Sequence, residues 1–154
     1  SSERRKYIPV GFLKKGTIIS NAGYGVYNAS LDLFGIVTSK IHNIWNNAIS
    51  GKMKTDYRYS SSLCYNTFPF PKITEAKKQE ISDAADTILD IRDYHVGETL
   101  ATLYDPDKMP ADLREAHHQL DLLVDSCYQD TPFANDEERL ECLFKLYEKM
   151  SKKK

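Results

Sequence analysis

GKMKTDYRYSSSLCYNTFPFP, residues Gly51 to Pro71, is the stretch around which the chain is organised. Helical spacing runs into it, and helical spacing resumes after it. Within it Tyr57, Tyr59, Tyr65 and Phe68 lie among Lys52, Lys54 and Arg58, with Asp56 as the single acid. Basic side chains neutralise phosphates, while hydroxyls and rings grip a nucleic-acid backbone or base. Lys54, Asp56, Arg58 and Ser60 alternate, so an extended chain puts them on one face. A plainer reading competes with this one, a Tyr-rich strand pair with solvated charges, and the residue types alone leave both standing. Pro69 and Pro71 steer the residues before them away from helix and place a boundary at residue 71.

Upstream, Ser30 is the expected cap of one long helix reaching about Ser50, with Asp32 favourable in its first turn. Leu33, Phe34, Val37, Ile41, Ile44, Trp45, Ala48 and Ile49 form its apolar stripe, and Gly51 is placed to end it. Trp45 reads as a core anchor. Lys40, His42, Asn43, Asn46 and Asn47 fall off the stripe, where they are available to phosphates or bases. Before this helix, residues 7–28 read as short strands and turns. Pro9 suits a strand edge, Lys15-Gly16 a turn, and Thr17 to Ile19 a β-branched run before Val26-Tyr27.

Downstream the pattern is helical throughout. Thr74 caps a helix to about Tyr94, with Ile81, Ala85, Ile88 and Leu89 among its apolar positions. Glu98 to Tyr104 makes a short helical turn before Asp105-Pro106. Pro110 opens a helix to about Tyr128, and Asn135 with Glu138 gives a capping-box-like start to a last helix near 137–150. Ile81, Leu89, Leu113, Leu120, Leu143 and Phe144 are expected to meet in one core. The expected fold class is therefore α+β: short strands and one long helix in the N-terminal half, followed by a C-terminal all-helical bundle. The expected units are residues 1–71 and 72–154.

A net charge of −1 hides a division. Residues 1–60 hold nine Lys/Arg against three Asp/Glu, a balance of +6, and residues 61–154 hold twelve against nineteen, a balance of −7. Such asymmetry points to a polyanion-facing first half. Cys64, Cys127 and Cys142 lack paired spacing, which favours reduced thiols in a cytoplasmic setting over a disulfide framework. No apolar run approaches the roughly 20 residues of a membrane span, and SSERRK is no signal-peptide start. A chain opening on Ser1 is expected to be an excised part of a longer polypeptide.

Three stretches in order carry a resemblance. FGIVTSKIHNIW (Phe34 to Trp45), GKMKTDYRYS (Gly51 to Ser60) and YNTFPFP (Tyr65 to Pro71) resemble the C-terminal part of MmeI-like DNA methyltransferases. These are the type IIL restriction–modification enzymes, whose pattern there reads roughly FG-x-L-x-S-x-x-H-x-x-W, GR-x-x-S-D-Y-R-Y-S and YNNFPWP. Lys52, Thr55, Thr67 and Phe70 depart from it, and Lys52 offers a point charge where the family has a planar Arg fork. The similarity runs from about Tyr7 to Tyr147.

The resemblance implies that 1–71 is the end of a target-recognition domain and 72–154 a C-terminal helical domain. It implies double-stranded DNA and the parent's remaining domains as partners, with no membrane and no metal. It also implies a parent similar to an adenine-specific DNA N6-methyltransferase with restriction activity, using S-adenosylmethionine. The expected DNA-binding residues are Lys52, Lys54, Asp56, Tyr57, Arg58, Tyr59 and Ser60, with Lys40 and His42 on the preceding helix.

Catalytic chemistry is not expected in this chain. It has no P-loop, GxGxxG or GxSxG, and no Asn/Asp-Pro-Pro-aromatic loop for the amine of a flipped base. His117 and His118 point about 100° apart on a helix, so structural roles are expected for them and for His95. Asp83, Asp86, Asp90 and Asp93 follow one helical face and read as solvated. The competing function is a protein–protein adaptor, with the acidic bundle binding a partner and Tyr side chains as anchors.

Overall fold

Ser39 divides the first helical stretch in two. α1 spans Leu31–Thr38 and α2 spans Lys40–Ile49, with Ser39 between them in extended backbone (φ −71°, ψ 159°). The Ser39 hydroxyl donates to Ile36 O at 2.6 Å, satisfying a carbonyl at the end of α1. The Asp121 carboxylate accepts from Lys40 N at 2.8 Å, satisfying a donor at the start of α2. One long helix to Ser50 was the expectation; a tertiary carboxylate and a local hydroxyl make the break instead. The break also resets the helical phase. The buried positions become Phe34, Gly35, Ile36 and Thr38 in α1, then Ile41, His42, Trp45 and Asn46 in α2.

This computed structural model describes residues 5–19, 23–50, 52–53, 56–57, 59 and 61–152, with backbone only at 52–53, 56–57 and 61. After α2 come β1 (Lys52–Met53) and β2 (Asp56–Tyr57), then a single π-helical turn, Ser61–Tyr65. α3 (Glu75–Tyr94), α4 (Leu100–Leu103), α5 (Ala111–Asp125) and α6 (Asp136–Ser151) follow. Among the described residues no helix is long and apolar enough to cross a membrane.

The α+β expectation is overturned. Described residues 5–19 and 23–30 form no strand, so the short strands read into residues 7–28 do not form there. The strand pairing among the described residues is a two-residue antiparallel ladder, Lys52 opposite Tyr57 and Met53 opposite Asp56, which makes no sheet layer. The body is helical. Instead of pairing in a sheet, the N-terminal segment spends its polar groups on helices. Asn43 Nδ2 donates to Lys6 O at 2.9 Å, and an Arg92 nitrogen donates to Val10 O at 2.7 Å.

α1 packs on α3, α3 on α5, and α2 on α6. Ile81, Ile88, Leu113, Leu120, Val124 and Leu143 are wholly buried at the centre, with Trp45 and Tyr7 beside them. Leu89, expected in the core, is half-buried. Phe144 is 42% exposed because it lies at the rim of α6, its ring 5.2 Å from that of Trp45. Caps hold where the sequence placed them. Thr74 accepts from Lys77 N, and Asn135 accepts from Glu138 N at 2.9 Å, while the Glu138 carboxylate accepts from Ala134 N. Gly97 ends the turn after α3 at φ +86°, a backbone that glycine adopts at no steric cost.

Candidate nucleic-acid interface

The segment bearing the expected base-reading residues leaves α2 at Ser50 and returns to the body at Tyr59. Ser50 is buried; its N–H donates to Asn46 O at 2.9 Å and its hydroxyl to Asn46 Oδ1 at 2.7 Å. Lys52, Asp56 and Tyr57 fall on the two paired strands. Lys54, Arg58 and Ser60 lie outside the described residues, so the shared extended face expected of Lys54, Asp56, Arg58 and Ser60 has only Asp56 among them. Tyr59 is half-buried. Its hydroxyl lies 3.1 Å from His42 Nε2, and its ring centroid lies 6.0 Å from that of Tyr24.

Two expected contacts sit elsewhere. His42 was read as off the apolar stripe and available to DNA, but it is fully buried. The break at Ser39 turns it inward, and Phe68 meets it edge-on at 4.5 Å. Burial pushes its imidazole down to about 3, so it is neutral. Lys40 extends over the body, its Nζ 2.6 Å from an Asp136 oxygen, and so ties α2 to α6. Of their polar neighbours, Asn43 is bonded to Lys6 O and Asn46 to Ser50, whereas Asn47 is exposed.

The π turn that follows the hairpin brings in Cys64, one of the three cysteines expected to be reduced thiols. Its Sγ lies 3.7 Å from His42 Nε2, and burial pushes the thiol up to about 12. Burial thus favours the neutral form of both the thiol and the imidazole. Thr67 completes the turn, donating to Leu63 O and accepting from Trp45 Nε1 at 3.2 Å. Aromatic contacts continue through Phe68, Phe70 and Tyr65, and Tyr128 of the bundle donates to Pro69 O at 3.1 Å.

A second polar cluster fastens the N-terminal segment. Tyr7 donates to Asp121 Oδ2 at 2.8 Å and stacks on His117 at 4.3 Å. The Tyr104 hydroxyl lies 2.7 Å from His117 Nε2 and accepts from Arg92 Nε at 2.8 Å. Burial pushes Asp121 up to about 6 and His117 down to about 3. His117 is thus a core residue, His118 is exposed, and His95 pairs with Asp112 at 3.0 Å. Asp83, Asp86, Asp90 and Asp93 are exposed on α3. Among the described residues no group of three or more His, Cys, Asp or Glu is arranged to hold a metal ion.

The comparisons with known proteins bear on this geometry. The pattern of the MmeI target recognition domain matches residues 1–72, and that of the MmeI C-terminal domain matches residues 73–153. DNA methyltransferase A of Bacillus subtilis (strain 168) is 48% identical over 153 residues, which cover 99% of this chain and 17% of that protein. A solved structure of the type IIL restriction-modification enzyme MmeI in complex with DNA matches with a TM-score of 0.94 at 41% identity. That match covers 99% of this chain and 20% of the MmeI chain, so the present chain spans about a fifth or less of each relative's length.

Proposed function

The chain belongs to the MmeI family, as its target recognition and C-terminal domains, and we propose that it serves as the DNA-recognition and scaffold part of a site-specific DNA methyltransferase with restriction activity. One observation carries the reading. A hairpin-forming segment rich in basic and aromatic residues is fastened at both ends to a helix that is itself packed into a helical body. Such a mount suits base readout, which needs side chains held to a fraction of an ångström. In this reading residues 1–71 close the target-recognition domain, and residues 72–154 brace it through the α1–α3 and α2–α6 contacts.

Lys52 and Arg58 neutralise phosphates, with Tyr57 and Ser60 as hydrogen-bonding partners. Lys54 and Asp56 address one base pair. In the major groove guanine offers two acceptors and its cytosine partner an amino donor, so an ammonium beside a carboxylate matches G·C. Lys40 and His42 act from behind, through the body rather than on DNA. Catalysis lies in the remainder of the parent, as does S-adenosylmethionine, which supplies the methyl group when bound. Among the described residues, the depression lined by Ile19, Gly23, Gly25, Val26 and Tyr27 offers no carboxylate for that cofactor's ribose hydroxyls.

The test is a charge swap in the full-length parent, Lys54→Glu with Asp56→Arg, with the methylated sequence read genome-wide. The preference should move from G·C toward C·G at one position, each wrong pair costing about 1–3 kcal/mol. Retained activity on an identical site would remove the pair from base readout.

A further inference from the structure

Entry and exit of the hairpin meet the same face of the same helix. Ser50 is bonded to Asn46 and Tyr59 to His42, and these two helix residues stand at i and i+4, one turn apart. All four hydrogen-bonding groups are withdrawn from water to some degree: Asn46 is 1% exposed, His42 0% and Ser50 6%, with Tyr59 half-buried. Phe68 meets the imidazole edge-on at 4.5 Å, and Cys64 Sγ lies 3.7 Å from the same Nε2 that the Tyr59 hydroxyl approaches.

Apolar contact alone would tolerate small displacements at the two ends of the hairpin. Buried hydrogen bonds do not, because a displaced donor or acceptor loses its partner in a medium where nothing replaces it. The neutral Cys64 and His42 leave hydrogen-bond geometry, and not proton transfer, as what this cluster supplies.

We propose that His42 and Asn46 are positioning residues for base readout, pinning the exit and entry of residues 51–58 so that the hairpin side chains meet the base edges in register. The inference rests on the DNA-recognition reading above and extends it to residues that never touch DNA. Sequence specificity in this chain is then set in two layers, the charged hairpin and the pair of polar residues on α2 behind it.

Full-length parent protein carrying Tyr59→Phe or Ser50→Ala tests this, since each variant deletes a hydroxyl and leaves the packing in place. His42→Asn serves as a third variant. Hydrogen–deuterium exchange over residues 52–59 should rise by about two- to tenfold, the opening expected from one lost hydrogen bond, with α3 and α5 unchanged. Discrimination between the target duplex and a single wrong base pair should fall by about threefold or more, while affinity for unrelated duplex, set by phosphates, should hold. A double variant, His42→Asn with Tyr59→Phe, should be no worse than the poorer single one, as coupled partners require.

Unchanged exchange over 52–59, or a loosened hairpin with unchanged discrimination, would overturn the assignment. The Lys54/Asp56 charge swap run in parallel separates the two levels. If the swap alters the methylated sequence and the Tyr59 and Ser50 variants do not loosen discrimination, the positioning role falls and the DNA reading stands. If the swap alters nothing, both fall.

Discussion

Gly35 of α1 lies against Ile81 of α3, and replacing it with alanine sets two effects of opposite sign against each other. In a helix interior alanine is favoured over glycine by about 1 kcal/mol. A Cβ at Gly35, however, would sit 2.6 Å from Ile81 Cγ2 and 3.3 Å from Leu120 Cδ1, both on fully buried side chains. Carbon pairs prefer about 3.5–4.0 Å, so the first contact is short by about 1 Å. Ile81 Cγ2 hangs directly on Cβ and has no flexible arm with which to retreat. Overpacking of this kind costs about 1–3 kcal/mol, and the upper half of that range exceeds the propensity gain. Gly35→Ala is therefore expected to lose about 1–2 kcal/mol net. In thermal unfolding that is a fall in Tm of about 2–8 °C for a chain of this size. Urea unfolding is conveniently followed through Trp45, the single tryptophan and 1% exposed. Ile81→Leu moves the branch off Cβ, so the double variant should recover at least about 0.5 kcal/mol relative to the sum of the singles. A Gly35→Ala chain as stable as the original, or more so, would refute the reasoning.

Two further outcomes follow from the same structure. Asp121 faces Tyr7, the Lys40 N–H, Lys6 and Asp125, and burial holds its folded-state pKa near 6, above its ordinary 3.8. The folded state therefore keeps its proton where the unfolded chain has lost it. Its contribution to stability is fully present below about pH 4 and declines as the pH rises through about 6. Asp121→Asn should flatten the stability profile between these limits, measured as the difference from the original chain in urea midpoints. Asn135→Ala removes the acceptor for Glu138 N at the start of α6 and should cost about 1 kcal/mol, read in the same titration.

What was legible in the sequence is what depends on neighbours in the chain. Thr74 and Asn135 cap their helices because a side-chain oxygen three residues ahead of an amide is a local matter. Ile81, Leu113, Leu120 and Leu143 are buried because each lies on the apolar face of its own helix. Family motifs gave the family for the same reason, as ordered local strings. The errors at the N-terminal segment and at α1–α2 involve partners distant in sequence. The break at Ser39 depends on Asp121, 81 residues from Lys40, and without it the phase that buries His42 could not be read. The N-terminal segment has strand-like composition, yet Tyr7, Ile8 and Val10 meet Asp121, Thr38 and Arg92 rather than a neighbouring strand. Lys40 looked free for phosphate until Asp136 arrived beside it from α6. Asn46 and Ser50, four residues apart at a helix end, carried a readable sign of their bond: polar side chains at that spacing meet on one face.

The central claim, that the hairpin after α2 faces DNA, is tested most directly by the salt dependence of duplex binding in the full-length parent. Lys52→Ala and Arg58→Ala should each weaken specific and unrelated duplexes alike and lower the slope of log affinity against log salt by about one unit. Affinity and slope unchanged in both variants would contradict it.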